Sequence, residues 1–159
     1  MPFSITYVLL GLVQSLVSVR LSVIIVTLSL SLSLSLATAL CRNRTLITLE
    51  LGTNGLTDIS AQLLGDTLKL NFRLQGLSLW QNEITGQGAQ CLAEGLQANS
   101  TLLWLGLGSN RIGTEGTWAL SESLKSNVTL LWLGLGGNEL GDRGALHLAT
   151  LLQSEMATH

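Results

Sequence analysis

The sequence predicts an α/β solenoid: a horseshoe segment with a parallel sheet on the concave side and helices on the convex side, preceded by an apolar N-terminal stretch. Three observations carry that prediction. Leu102-Leu-Trp-Leu-Gly-Leu-Gly-Ser-Asn110 returns almost unchanged as Leu130-Leu-Trp-Leu-Gly-Leu-Gly-Gly-Asn138, and self-similarity at a fixed interval marks a repeat architecture. Stepping back by the same interval reaches Leu74-Gln-Gly-Leu-Ser-Leu-Trp-Gln-Asn82 and Leu46-Ile-Thr-Leu-Glu-Leu-Gly-Thr-Asn54, so Asn54, Asn82, Asn110 and Asn138 stand in phase. Within each unit a short alternating apolar run is followed by apolar residues at helical spacing.

The chain begins with residues 1–34, an apolar, low-complexity segment. Of the first 41 residues only Arg20 is charged, and it splits two apolar runs, 3–19 and 21–40. At roughly 1.5 Å per residue the second run is long enough for a helix to cross a bilayer, so residues 21–40 are a candidate membrane span. The alternation from Leu28 to Leu36, Leu-Ser repeated with period two, is strand-like or simple low complexity instead. It is also what a CT dinucleotide tract encodes, which makes a gene-model artefact a second reading. A signal peptide cleaved near Ala37-Thr-Ala39 is a third, although the charged start such peptides carry is missing.

From residue 35 the phase of the repeats takes over. Leu36, Leu40 and Asn43 occupy the places that Leu64, Leu68 and Asn71 hold one unit later, so residues 35–44 form a half repeat. Full repeats then cover 45–72, 73–100, 101–128 and 129–156, making one domain over 35–156. In the first, Leu49 and Leu51 alternate with polar residues and face inward from a strand. Asn54 closes the turn, its side-chain amide serving backbone groups where the chain leaves the strand, and Asn82, Asn110 and Asn138 do the same in their units. Leu56, Ile84, Ile112 and Leu140 supply the next inward residue, and a Gly- and Thr-rich link such as Gly113-Thr-Glu-Gly116 leads into the helix. Ala89, Cys91, Leu92 and Leu96 share a helix face, as do Leu120 and Leu124. No unit can bury its leucines alone, and stacking four of them supplies the partner surface.

Composition narrows the function. The chain of 159 residues is 47% apolar and only 11% charged, and residues 42–159 hold seven Lys/Arg against ten Asp/Glu. A mildly acidic surface without a basic run disfavours nucleic acid as a partner. Cys41 and Cys91 form no disulfide framework and no metal-ligand spacing, and no metal or cofactor is expected. Cys41 falls at a polar repeat position and Cys91 at an apolar one, where it reads as a small buried hydrophobe. His147 takes the helix slot of Leu63, Cys91 and Ala119, so it is no candidate base, and Gly86-Gln-Gly88 lacks the third glycine of a dinucleotide fingerprint. No catalytic residue is assigned. The sequons at Asn43, Asn99 and Asn127 share one repeat position with Asn71, which has none, and phase accounts for all four without a sugar.

The pattern L-x-x-L-x-L-x-x-N-x-I/L, with its 28-residue period over residues 36 to about 153, resembles the leucine-rich repeats of the ribonuclease-inhibitor type. The wording of Asn127-Val-Thr-Leu130 and of Gly137-Asn-Glu-Leu-Gly-Asp-Arg-Gly144 is similar to the repeat region of NOD-like receptors, the NACHT and leucine-rich-repeat proteins of innate immunity. That resemblance implies a cytoplasmic, non-enzymatic protein-interaction module, a fragment or relative of such a receptor without its nucleotide-binding engine. No Gly-Lys dipeptide begins a phosphate loop.

In such an arc the residues between the strand leucines face the concave side. These are Thr48, Gly76, Trp104 and Trp132, then Glu50, Ser78, Gly106 and Gly134, with Trp80 two positions beyond Ser78 on the same strand. Three indoles on a glycine floor make an apolar patch of the kind that marks a contact site, so Trp80, Trp104, Trp132, Glu50 and Ser78 are the candidate partner-binding residues. The competing reading is a ladder of consensus tryptophans that only cover the strands. Trp118, in the helical half, receives no role. A single-pass anchored protein presenting the same surface is the alternative, with Arg42 and Arg44 after the apolar run keeping the repeats cytoplasmic.

Overall fold

A computed structural model describes residues 18–20 and 30–156. The elements alternate in chain order: β1 (Ser18–Arg20), α1 (Leu30–Arg42), β2 (Thr48–Glu50), α2 (Asp58–Leu70), β3 (Gly76–Ser78), α3 (Gly86–Ala98), β4 (Trp104–Gly106), α4 (Gly113–Leu124), β5 (Trp132–Gly134) and α5 (Gly141–Met156). The strands form one parallel sheet in the order β1-β2-β3-β4-β5. From β2 onward the register follows the repeat, Leu49 beside Leu77, Leu77 beside Leu105 and Leu105 beside Leu133. Each helix packs on the next, α1 on α2 through to α4 on α5.

A single core runs between sheet and helices. Leu46, Leu49, Leu74, Leu77, Leu102 and Leu105 are fully buried from the strand side, and Leu40, Leu68, Leu92, Leu96 and Leu120 close it from the helices. Burying one such leucine contributes roughly 1.5–3 kcal/mol. Each unit shares its leucines with both neighbours, so no unit owns its stability. The last unit is covered on one side only, and Leu130, Leu133 and Leu140 remain partly buried where their counterparts upstream are closed off.

The first forty residues differ most from the sequence reading. Leu30–Arg42 is a helix where the Leu-Ser alternation points to a strand. The reason is geometric: every second residue includes every fourth, so a period-two leucine series also places leucines at i and i+4 on one helix face. Leu36 and Leu40 use that face and are buried, while Leu34, two residues from Leu36, points away and is 54% exposed. The apolar segment 1–34 therefore contributes residues 30–34 to a repeat helix. Strand β1 lies within it too, and its register, Ser18 beside Thr48 and Arg20 beside Glu50, extends the sheet by a strand the repeat pattern does not announce.

The candidate span 21–40 is corrected in the part that the structure describes. No helix among the described residues is long and apolar enough to cross a membrane, and Leu36 and Leu40 face the protein core. Residues 1–17 and 21–29, on which the rest of the membrane, signal-peptide and artefact readings fall, lie outside the described residues.

Two asparagine ladders hold the turns. At the end of the strands, Nδ2 of Asn82 donates to Leu51 O and Leu79 O at 3.0 and 2.9 Å, while its Oδ1 accepts from Asn54 N and Leu56 N at 3.0 Å each. Asn110 repeats this with Leu79 O, Leu107 O and Ile84 N. Asn138 does so with Leu107 O, Leu135 O, Asn110 N and Ile112 N. Asn54 in the first unit donates to Gly52 O at 2.9 Å. The residue before each ladder asparagine, Thr53, Gln81, Ser109 or Gly137, has a positive φ between 53° and 72°. Three of the four are not glycine, and the amide bonds hold a backbone that these side chains disfavour. The second ladder stands after the helices, at Asn71, Asn99 and Asn127.

Candidate protein-interaction face

The concave side is built from the strand residues that alternate with the core leucines. On β2, Thr48 and Glu50 are half-buried, with Arg20 of β1 in register beside Glu50. On β3, Gly76 is buried and Ser78 half-buried. On β4, Trp104 is half-buried, and on β5 Trp132 is 56% exposed. Trp104 and Trp132 are register partners on adjacent parallel strands.

The glycines beside these indoles are covered, not bare. A methyl group on Gly76 would overlap the Trp104 indole, so that ring lies back across β3. The Trp132 ring instead lies along its own strand over Gly134, and its Cζ3 stands 3.8 Å from where a Cβ on Gly106 would be. Each glycine makes room for a ring to lie flat on the sheet. The indoles thus cover strand backbone, as the ladder reading expects, while Trp132 stays 56% exposed.

Trp80 does not sit on the strand. Strand β3 ends at Ser78, and Trp80 follows it in the turn, immediately before the left-handed Gln81. Backbone pairing between units nevertheless runs on, Thr53 N donating to Trp80 O at 3.1 Å and Gln81 N to Gly108 O at 2.8 Å. The Trp80 indole packs over Gly52 of the preceding unit and is 44% exposed. Of the five residues singled out by sequence, Ser78, Trp104 and Trp132 lie on adjacent strands, Glu50 stands one strand further back, and Trp80 lies past the end of β3.

A second surface was not legible from the repeats. Between the N-terminal halves of α3, α4 and α5 lies an open groove of about 790 Å³, lined by Gln87, Gln90, Glu115, Trp118, Arg143 and His147 among others. Trp118 is 51% exposed there, and His147 is half-buried. No nucleophilic cysteine or hydroxyl stands in hydrogen-bond contact with His147 in the described structure. Cys91 is only partly buried rather than enclosed, and that burial pushes its thiol up from its ordinary range, which lowers the thiolate fraction at neutral pH. Cys41 is partly buried as well, with Sγ 3.9 Å from Thr67 Oγ1. Among the described residues no group of His, Cys, Asp and Glu gathers to hold a metal ion.

Sequence reasoning also missed Asp58. Its Oδ1 accepts from Thr85 N and Gly88 N at 2.7 and 3.0 Å, and its Oδ2 from Thr85 Oγ1 at 2.6 Å. A carboxylate of one unit thereby caps the helix of the next, where free N–H groups and the helix dipole favour negative charge. The second unit has Gly86 at this place and the third Thr114, so the repeat pattern carries no signal for it.

Comparison with known proteins agrees with the geometry. The family model for the leucine-rich repeat matches residues 42–65. No curated protein matches the chain. Among solved structures, the actin-binding site 2 of leiomodin-1 is similar at a TM-score of 0.78 and 25% identity, over 98% of this chain and 91% of that one. The C-terminal domain of a Caenorhabditis elegans tropomodulin reaches a TM-score of 0.74 at 15% identity, over 98% and 95%, and shows the fold alone. The fold is a leucine-rich-repeat α/β solenoid.

Proposed function

We propose that this solenoid is a non-catalytic protein-recognition module that takes its partner on the concave face, with Trp104 and Trp132 at the centre and Ser78, Glu50 and Trp80 around them. The observation that carries the reading is the in-register pair of tryptophans, each with its ring against a glycine, Trp132 being 56% exposed. Aromatic anchors of low conformational freedom dominate protein interfaces, and a flat pair of them presents apolar area with little ordering cost. Actin is the first partner to test, because the leiomodin-1 domain of the same fold is named as an actin-binding site.

Binding of the full chain to monomeric and filamentous actin, by sedimentation and by fluorescence titration, should saturate. Trp104→Ala with Trp132→Ala should weaken it by ~30-fold or more, the loss of at least about 2 kcal/mol typical of an interface hot spot, with unchanged circular dichroism. Undiminished binding by the double variant would move the interface off this face. A second reading, the sensing end of a NOD-like receptor, is supported by the wording of residues 127–130 and 137–144. It carries no expectation of actin capture, so the same titration separates the two.

A further inference from the structure

We infer that a glycan on Asn99 or Asn127 and the folded solenoid exclude one another, so that this fold belongs where no lipid-linked glycan is transferred to asparagine. Both residues lie in sequons, Asn99-Ser-Thr101 and Asn127-Val-Thr129, and both are members of the second ladder. Asn99 is 6% exposed and Asn127 8%. Nδ2 of Asn99 donates to Leu68 O at 2.8 Å and to Asn71 O at 3.0 Å, while its Oδ1 accepts from Thr101 N at 2.9 Å and Leu102 N at 2.8 Å. Nδ2 of Asn127 donates to Leu96 O at 2.7 Å and to Asn99 O at 2.9 Å, and its Oδ1 accepts from Thr129 N and Leu130 N at 3.0 and 2.9 Å.

A side-chain amide has two protons to give, and both are used at each residue. Transfer from a lipid-linked oligosaccharide forms a bond from Nδ2 to the anomeric carbon of the sugar, expels the lipid diphosphate and releases one Nδ2 proton. One carbonyl of the preceding unit then loses its donor inside the protein, and the sugar would have to occupy the space that this carbonyl fills. The bonds belong to the repeat position and not to the sequon: Asn71, followed by Phe72 and Arg73, donates to Leu40 O at 2.7 Å and accepts from Arg73 N and Leu74 N at 2.8 Å each. Nδ2 of Asn43, in the half repeat, donates to Thr45 Oγ1 at 3.4 Å.

The test directs the full chain into glycosylating microsomes behind a cleavable signal sequence, with Thr45→Ala in every version so that only Asn99 and Asn127 report. Glycan-bearing and bare molecules are separated on a lectin, the glycan is mapped by mass spectrometry, and each pool is timed against trypsin. Glycan-bearing molecules should be digested at least roughly tenfold faster than the same chain made in a bacterial cytosol, and bare molecules should match the cytosolic chain. A version with Thr101→Val and Thr129→Val should be fully resistant in the microsomes; the alanine pair replaces it if the valine pair does not fold in the bacterial cytosol. Molecules glycosylated at Asn99 or Asn127 and as resistant as the cytosolic chain would overturn the inference. So would a sequon-free version digested in the microsomes as fast as the glycosylated one.

Discussion

At the scale of single residues, the asparagines after the strands tie each unit to the next. Asn110 serves two carbonyls and the N–H of Ile84 inside the protein, across two successive units. Replacing it with alanine leaves the Ile84 N–H without a partner and takes one of two donors from Leu79 O and Leu107 O, which keep Asn82 and Asn138, so Asn110→Ala should lower the unfolding free energy by about 2 kcal/mol. Urea denaturation reads this, and a midpoint equal to that of the parent chain would show that water replaces the amide. The position of these asparagines was legible in the sequence, because the period alone brings Asn54, Asn82, Asn110 and Asn138 into line. Which carbonyls they hold was not, because those carbonyls belong to neighbouring units.

At the scale of elements, close approach decides how a substitution is felt. Helices α2 and α3 meet through Gly65 and Gly95, where a Cβ on Gly95 would lie 2.8 Å from Gly65 Cα, against backbone that cannot turn aside. A Cβ on Gly76 meets first the Trp104 indole, a side chain that can turn aside. Gly95→Ala should therefore cost about 2 kcal/mol by overpacking. Gly76→Ala should cost less while shifting the tryptophan emission, and equal costs with unchanged emission would contradict the placement of the ring. The Asp58 cap is a second contact between elements. Asp58→Ala should cost about 2 kcal/mol as a charge-assisted cap, Thr85→Ala about 1 kcal/mol, and the double variant clearly less than their sum, since both remove one network. Additive losses would show that the two side chains act separately.

At the scale of the whole molecule, the sheet has an edge at β5, and the surface around it is apolar. Val128 is 93% exposed, Leu131 79% and Trp132 56%. An edge strand flanked by exposed apolar side chains invites association, and a lysine is the usual remedy. The full chain should self-associate in sedimentation velocity as its concentration rises, and Leu131→Lys should shift it toward the monomer without changing its thermal midpoint. A parent chain that stays monomeric throughout the range would show the edge to be harmless. The concave indoles lie partly in this unit, so actin titrations are best run on the monomer.

The sequence by itself determined the period, the alternation of strand and helix, the buried leucines and the asparagine phase, because these depend on spacing along one chain and every unit repeats the same test. Tertiary structure decided what depends on a neighbour. The Leu-Ser run from Leu30 became a helix because Leu36 and Leu40 find the flank of the next unit, although its period fits a strand as well. The Trp80 indole lay down over Gly52 and the Trp104 indole over Gly76 because the residue 28 positions earlier is in each case glycine. Local spacing states which residues must be covered; only packing between units states what covers them.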